Sequence, residues 1–264
     1  YAPVDARGFV KVDALASLLR PDTTLVSVMA VNNEIGSIQP IHEIAALIED
    51  RPTISFHVDA VQALAKVATE VYLPERVDFA TFSSHKFHGL RGVGFVYIKE
   101  GKKITPLLTG GGQEKEMRST TENVAGIAAT AKALRLAMEN QEAFASKTQQ
   151  MKEVIRKELA NYPDVTVFSG EDHFAPHILT FGIKGVRGEV VVHAFEEFDI
   201  YISTTSACSS KAGKPAGTLI AMGVDKSIAQ TAVRLSLDIE NDMSQVEQFL
   251  TKFKLIYEKT RKVR

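Results

Sequence analysis

Short apolar runs that alternate with helical segments constrain the fold of the first half of the chain more than any other feature. The run from Thr24 to Val31 is nearly continuous, which is typical of a strand buried on both faces of a sheet. Similar runs follow from Ile54 to Val58 and from Val77 to Phe82. Helical spacing occupies the intervals, at Val12 to Leu19 and at Ile41 to Asp50. The alternation predicts an α/β fold with a mostly parallel sheet.

Each of these predicted strands is followed by polar side chains. Asn33 follows the first run and Asp59 the second, with Gln62 three residues further on. The third run leads directly into Ser83-Ser84-His85-Lys86. Because the carboxyl ends of parallel strands meet at one edge of a sheet, where α/β proteins bind ligands, we expect these side chains to share a site.

The sequence pattern changes in the second half of the chain. Helical spacing extends from Val124 to Leu159, and shorter strands mixed with helices follow. Three of these strands are predicted at Val165 to Phe168, His177 to Phe181 and Asp199 to Ser203. We therefore predict that residues 1–140 are part of a large domain and that residues 141–264 form a smaller α+β domain. Ser244 and Glu247 have the spacing of a capping box for the last helix.

The composition excludes several classes of function. The chain has 264 residues and a formal net charge of -1, so it indicates neither a nucleic-acid surface nor a basic membrane anchor. No apolar run approaches the roughly 18 residues of a membrane span, and the seven histidines lack the spacing of a metal site. The single cysteine, Cys208, cannot form an internal disulfide, which favours a reducing, cytoplasmic setting.

An aspartate and a lysine at two strand ends are the pair that pyridoxal 5'-phosphate (PLP) requires. An amine such as that of Lys86 forms a Schiff base with the PLP aldehyde, and a carboxylate such as that of Asp59 keeps the pyridinium nitrogen protonated. Ser83 and His85 are placed beside Lys86 to contact the phosphate. Taken singly, Lys86 also fits a solvated loop lysine and Asp59 a helix N-cap, so the prediction depends on the pair.

Cys208 has two interpretations from its surroundings. A lone cysteine is most often a small buried hydrophobic residue. Residues 203–217, however, are mostly small and include Lys211 and Lys214. Positive charge lowers the pKa of a thiol and favours the reactive thiolate. The second interpretation makes Cys208 a candidate nucleophile.

Six motifs resemble those of the NifS-like cysteine desulfurases, which are PLP-dependent members of the class V aminotransferase family. They follow the order of the family and cover nearly the whole chain. The motifs are Val31-Asn32-Asn33-Glu34-Ile35-Gly36, His57-Val58-Asp59-Ala60-Val61-Gln62, Ser83-Ser84-His85-Lys86, Gly110-Gly111-Gly112-Gln113-Glu114 with Met117-Arg118-Ser119, Ser206-Ala207-Cys208-Ser209 and Val233-Arg234-Leu235-Ser236.

The resemblance implies a fold-type-I PLP-dependent transferase and roles for individual residues in cofactor binding. Lys86 is similar to the Schiff-base lysine and Asp59 to the partner of the pyridinium nitrogen. Gln62 resembles the residue that hydrogen-bonds the ring hydroxyl. Ser83 and His85 match phosphate contacts, and the resemblance also places His85 among the catalytic residues.

The resemblance also implies a reaction and its partners. Thr121 resembles the threonine that reaches the phosphate of the neighbouring subunit, which implies a homodimer. Asn33 and Arg234 look like the pair that holds the substrate carboxylate. Cys208 matches the cysteine that takes the sulfur of L-cysteine as a persulfide, with L-alanine as the other product. The sulfur then passes to an acceptor, such as an iron–sulfur scaffold or a tRNA-thiolation protein.

Two departures from the family pattern leave alternatives open. Thr120 stands where the family has glycine, so a β-branched residue replaces the most permissive one. No match to the family's N-terminal part precedes Tyr1, and we therefore expect a chain truncated at its N-terminus. The alternatives are another class V PLP enzyme, such as a selenocysteine lyase or an aminotransferase, and an inactive structural fragment of the full enzyme.

Overall fold

The computed structural model describes residues 1–205 and 217–261, and the chain divides into two compact units. We name each unit after its sheet. The parallel-sheet unit consists of Arg20–Ala30 and Ile41–Gln141. The antiparallel-sheet unit consists of Tyr1–Leu19, Val31–Pro40 and the described part of Glu142–Arg264.

The parallel-sheet unit is built on four strands in the order β1–β2–β3–β4. Strands β1 to β3 are parallel, as predicted, and β4 pairs with β3 in the antiparallel sense. The strands are β1 (Leu25–Met29), β2 (Ser55–Asp59), β3 (Phe79–Ser83) and β4 (Gly94–Ile98). The helices are α2 (Ile41–Leu47), α3 (Thr69–Tyr72) and α4 (Val124–Glu139), with 3-10 turns at Ser84–Phe87 and Gln113–Glu116.

One face of this sheet is covered and the other is open. Side chains along a strand alternate between the two faces. In β1, Val26 is 6% exposed, whereas Leu25 is 56% and Met29 is 39% exposed. The prediction that Thr24 to Val31 is buried on both faces is therefore wrong. A continuous apolar run shows that both faces of a strand are apolar, but burial also needs a layer of atoms against each face.

The antiparallel-sheet unit has four strands in the order β5–β6–β8–β7, and all neighbours are antiparallel. The strands are β5 (Val165–Val167), β6 (Ile178–Ile183), β7 (Ser203–Thr204) and β8 (Ala232–Ser236). The helices are α1 (Val12–Leu18), α5 (Gln141–Leu159), α6 (Gly188–Glu196), α7 (Gly217–Ala221), α8 (Lys226–Ala229) and α9 (Met243–Arg261). The strand predicted at Asp199 to Ser203 begins only at Ser203, because Asp199 has a φ of 57°, which is left-handed and incompatible with a strand.

The long helix predicted from Val124 to Leu159 is interrupted at Asn140, where φ is -106° and ψ is 8°. The boundary between the two units falls next to this break. The segment Val31–Pro40 belongs to the antiparallel-sheet unit because Ser37 forms a bridge with Phe174 there. The domain boundary predicted at residue 140 thus stays a prediction. The compact units differ from the predicted domains in the first forty residues, because Tyr1–Leu19 and Val31–Pro40 belong to the antiparallel-sheet unit.

The last helix, α9, buries one apolar stripe. Its buried residues are Val246, Phe249, Phe253, Ile256 and Tyr257. The predicted cap at Ser244 is wrong, because the side chain of Asp242 accepts the Gln245 N–H (3.0 Å) while the Gln245 side chain accepts the Asp242 N–H (3.2 Å). The capping box therefore begins two residues earlier. Across the described residues, no helix is both long and apolar enough to span a membrane.

Candidate active site

Lys86 lies on the 3-10 turn Ser84–Phe87, directly after β3, and the backbone of this turn is tightly held. The Ser84 hydroxyl is 2.9 Å from the Thr130 hydroxyl of α4, and the Lys66 ammonium donates to the Lys86 carbonyl. Gly89 donates its N–H to the Ser84 carbonyl at 2.9 Å. A Cβ atom at Gly89 would lie 1.8 Å from the Ser84 hydroxyl oxygen, so only glycine fits. The turn therefore presents Lys86 from a fixed position.

The Lys86 side chain is half-buried. Its amine forms no hydrogen bond or ion pair with any residue in the ranges that the structure describes. An amine that no carboxylate engages is available for a carbonyl ligand. Ser83, the last residue of β3, lies three residues before Lys86 and is half-buried. His85 is exposed.

Asp59 is the last residue of β2, and its carboxylate is exposed. The Oδ1 atom accepts the Val61 N–H at 3.0 Å, which fixes the turn after the strand. Asp59 is opposite Thr81 in the parallel register of β2 and β3, so Asp59 and Lys86 follow the same edge of the sheet. Gln62 is half-buried in the turn after β2.

His57 supports the strand that carries Asp59, and it was not predicted from the sequence as a candidate site residue. It precedes Asp59 by two residues and so shares its face of β2. Its Nδ1 atom is 2.7 Å from the Ser27 hydroxyl, and its Nε2 atom is 3.1 Å from the Thr81 hydroxyl. Burial lowers the pKa of His57, and the nearby charge of Asp59 acts in the opposite direction. A neutral imidazole that bridges three strands supports the strand end that carries Asp59. The sequence signal for His57 was its spacing of two residues from Asp59, which places both side chains on one face of the strand.

Asn33 and Arg234 meet in the antiparallel-sheet unit, although 201 positions separate them. The Arg234 Nη1 atom donates to the Asn33 carbonyl at 2.7 Å. Arg234 lies on β8, opposite Thr180 of β6 and Ser203 of β7. The Asn33 side chain is half-buried and forms no hydrogen bond with another described residue, so its amide is available to a ligand.

The turn that carries Asn33 is rigid. The Asn32 side chain accepts the N–H groups of Glu34 and Ile35 at 2.9 and 3.0 Å. Ser169 donates its hydroxyl to the Ile35 carbonyl at 2.6 Å. Gly36 has a φ of +84°, a conformation that favours glycine. Local and long-range hydrogen bonds together fix the backbone of this turn.

Thr121 is exposed in the irregular stretch before α4. Thr120 is not among the non-glycine residues that the structure describes with a positive φ, so its β-branched side chain suits the backbone at this position. Cys208 lies outside the described residues. The roles predicted for all of these site residues stay predictions. Among the described residues, no group of three or more histidines, cysteines or carboxylates could hold a metal ion.

Comparisons with known proteins give the chain its family. The model of the family described as Aminotransferase class-V matches residues 1–249. A "NifS/IcsS protein homolog" from Lactobacillus delbrueckii subsp. bulgaricus is 50% identical over 262 residues, which are 99% of this chain and 68% of that protein. A "Cysteine desulfurase IscS" from Clostridium botulinum is 39% identical over 95% of this chain and 63% of its own length.

The solved structure of a "NIFS-LIKE PROTEIN" superposes with a TM-score of 0.88 at 37% identity, and the match covers 99% of this chain and 67% of that one. The chain thus spans about two thirds of the length of the relatives that it matches. The fold, the family match and two relatives well above 30% identity agree. The chain belongs to the class V aminotransferase family, among its NifS-like, PLP-dependent members.

Proposed function

We propose that the protein is a cysteine desulfurase that converts L-cysteine into L-alanine and a persulfide on Cys208. The observation that carries this proposal is the amine of Lys86, which no described residue engages and which a rigid turn holds at the same sheet edge as the exposed carboxylate of Asp59. The relatives named cysteine desulfurase support the choice of reaction within the family.

The chemistry of the donor set fits PLP. The Lys86 amine can bind the aldehyde, and the Asp59 carboxylate can pair with the ring nitrogen. Ser83 and His85 offer hydrogen-bond donors for the phosphate, and Gln62 offers an amide for the ring hydroxyl. When bound, PLP supplies an electron sink that weakens bonds at the carbon next to the substrate amine.

The remaining steps use residues of this chain. Arg234 and Asn33 hold the substrate carboxylate, since a guanidinium pairs with a carboxylate bidentately. The Arg234 bond to the Asn33 carbonyl keeps the two groups together. The thiolate of Cys208 attacks the sulfur of L-cysteine, so an S–S bond forms as the C–S bond of the substrate breaks. The substrate carbon takes up a proton, which leaves L-alanine and a persulfide on Cys208.

Three further features belong to the same proposal. Thr121 contacts the phosphate in a second copy of the chain, which makes the active form a homodimer. A protein acceptor, either an iron–sulfur scaffold or a tRNA-thiolation protein, removes the persulfide sulfur. The reaction takes place in the reducing cytoplasm, where a free thiol persists.

The first test concerns Lys86 in the full-length protein. The PLP-loaded protein should show a visible absorption band, and Lys86→Ala should abolish it because no amine then binds the aldehyde. Lys103→Ala, which removes an exposed lysine of the same unit, is the matched control and should keep the band. A band that persists in Lys86→Ala would remove Lys86 from this role.

The second test concerns Cys208. Cys208→Ser should keep the visible band but lose sulfide release from L-cysteine in the presence of a reductant, because a hydroxyl cannot carry the sulfur. Ser209→Ala, one residue away, is the control for disturbance of the segment. Undiminished turnover in Cys208→Ser would favour a selenocysteine lyase or another class V lyase or aminotransferase.

A further inference from the structure

The ammonium of Lys66 connects two turns of the parallel-sheet unit. We name residues 60–67, which follow β2, the β2 turn, and the 3-10 turn Ser84–Phe87, which follows β3, the β3 turn. Lys66 belongs to the β2 turn and is 8% exposed, and its ammonium donates to the Lys86 carbonyl. We infer that Lys66 is a positioning residue, which ties the two turns together and so sets the separation of Asp59 and Lys86. This role rests on the functions proposed for Asp59 and Lys86 and adds to them.

The Lys86 carbonyl needs a donor from outside its own turn. In a 3-10 helix each carbonyl accepts the N–H three residues ahead, and the last carbonyls have no partner within the helix. Gly89 is three residues after Lys86, but its N–H donates to the Ser84 carbonyl at 2.9 Å. His88 has a left-handed φ of 66°, so the helix ends there. The Lys66 ammonium meets this need, and a hydrogen bond from a charged donor is stronger than one between neutral groups.

The β2 turn fixes the backbone at Lys66. The N–H groups of Lys66 and Val67 both donate to the Ala63 carbonyl, at 3.0 and 2.9 Å. The Gln141 side chain donates to the Val67 carbonyl at 2.6 Å. Ala65 has a φ of 60°, a conformation that a non-glycine residue keeps only where the surrounding structure imposes it. Because its backbone is held in this way, the Lys66 side chain constrains the β3 turn rather than following it.

Strand pairing alone does not set the separation of Asp59 and Lys86. The parallel register of β2 and β3 ends where Asp59 is opposite Thr81. Lys86 lies five residues beyond Thr81 (86 minus 81) and past the end of β3 at Ser83. Beyond the paired strands, the two turns keep a fixed separation only through contacts between them. Lys66 makes such a contact directly with the residue that carries the amine.

The separation matters because PLP is rigid. Its aldehyde and its ring nitrogen belong to one aromatic ring system, so the amine that binds the first and the carboxylate that pairs with the second must lie a fixed distance apart. A misplacement of about 1 Å can slow a reaction about a hundredfold. Without the Lys66 contact, the β3 turn can move relative to Asp59. The reaction of the Lys86 amine with the aldehyde should then be slower.

The experiment compares Lys66→Met with Lys66→Arg in the full-length protein, first without PLP. Methionine has a similar length but no donor, whereas arginine keeps a charged donor. The amides of residues 84–89 should exchange hydrogen about tenfold faster in Lys66→Met and at close to the wild-type rate in Lys66→Arg, because only the first variant loses the bond that restrains the turn. The amides of β2 and β3 should stay within about twofold of wild type. Lys132→Met, which removes an exposed lysine of the same unit, is the control.

The second measurement follows the visible band after PLP is added to each PLP-free protein. The rate constant for the appearance of the band should fall at least about tenfold in Lys66→Met and recover in Lys66→Arg. A stability role alone would not change this rate constant in a folded variant. A wild-type rate constant in Lys66→Met would therefore overturn the positioning role, even if hydrogen exchange were faster.

Lys66→Gln is the alternative variant if Lys66→Met does not fold. Its side chain keeps a polar group in the buried position but is shorter and uncharged, so the band should again appear more slowly. If neither variant folds while Lys66→Arg does, Lys66 serves stability alone and the positioning role is overturned. If the wild-type full-length protein forms no band with PLP, the proposed function fails. Hydrogen exchange in the PLP-free proteins then still decides whether Lys66 holds the β3 turn.

Discussion

Asp78 is the buried charge that joins the strands of the parallel-sheet unit. Its carboxylate accepts the Phe56 N–H at 2.8 Å and the Arg76 guanidinium at 2.9 Å, and lies 3.1 Å from the Lys102 ammonium. Burial alone would raise the pKa of Asp78, but these donors together outweigh it and lower the pKa. Arg76 also donates to the Ile54 carbonyl at 2.7 Å. One carboxylate thus holds the beginnings of β2 and β3 together.

Replacing Asp78 by asparagine should destabilise the protein, because it leaves Arg76, whose side chain is only 11% exposed, without its counter-charge. We expect Asp78→Asn to lower the free energy of unfolding at pH 7 by about 3 kcal/mol, measured by urea denaturation. Asp22→Asn is the matched control, since Asp22 pairs with Arg20 at the surface, where both side chains are 74% exposed. An exposed pair contributes less than about 1 kcal/mol.

The wild-type protein and Asp78→Asn also provide a test of the Asp78 pKa, through the pH dependence of their stabilities. A carboxyl group whose pKa is lower in the folded state stabilises the protein above its unfolded pKa of about 3.9 and loses this contribution as pH falls through the folded pKa. The difference in stability between wild type and Asp78→Asn should therefore shrink on acidification below about pH 4. A difference that grows on acidification would contradict the assignment.

Lys152 shows why single residues resist prediction from sequence. Its place in a helical pattern favours a solvated lysine, but the structure buries it to 2% exposure, with its ammonium 2.8 Å from the Ala175 carbonyl. Burial, with a smaller effect of Arg156, lowers the pKa of Lys152 to about 8. The contact spans 23 residues, so no local pattern encodes it.

At the scale of elements, prediction succeeded where the signal is local. The β2 and β3 segments were predicted within a few residues, because apolar periodicity is set by neighbours in sequence. The cap of α9 was placed wrongly because two overlapping motifs, at Asp242 and Ser244, compete for the same helix end. In the structure, the Ser244 hydroxyl donates to Asp242 rather than capping the helix itself.

The residues of the candidate site likewise fall into two groups, those that the nearby sequence indicates and those that it does not. Strand ends predicted the placement of Asp59 and Lys86 at one sheet edge, because parallel strands share a direction. Arg234, by contrast, came only from the resemblance to a family, since nothing in its neighbourhood in sequence indicates Asn33. The contact of Lys66 with the Lys86 carbonyl could not be predicted, because the tertiary structure creates it.

At the scale of the whole molecule, the parallel-sheet unit leaves the region around Lys86 open. Asp59 and His85 are exposed, and the face of the sheet that carries Asp59 also exposes Leu25 and Met29. Ligand sites usually bury about 70–90% of the surface of a ligand the size of PLP. The described residues therefore offer the chemistry of a PLP site without the enclosure that retains a cofactor.

We accordingly expect the 264-residue chain, expressed alone, to retain PLP weakly or not at all. The relatives that it matches are about half as long again, so the comparison is with a full-length relative under the same conditions. Both proteins would be saturated with PLP and dialysed, and the bound cofactor measured by its visible absorption per mole of protein. The relative should keep about one PLP per chain and the 264-residue chain a small fraction of that. Stoichiometric retention by the short chain would contradict this expectation and would show that its own residues complete the cofactor site.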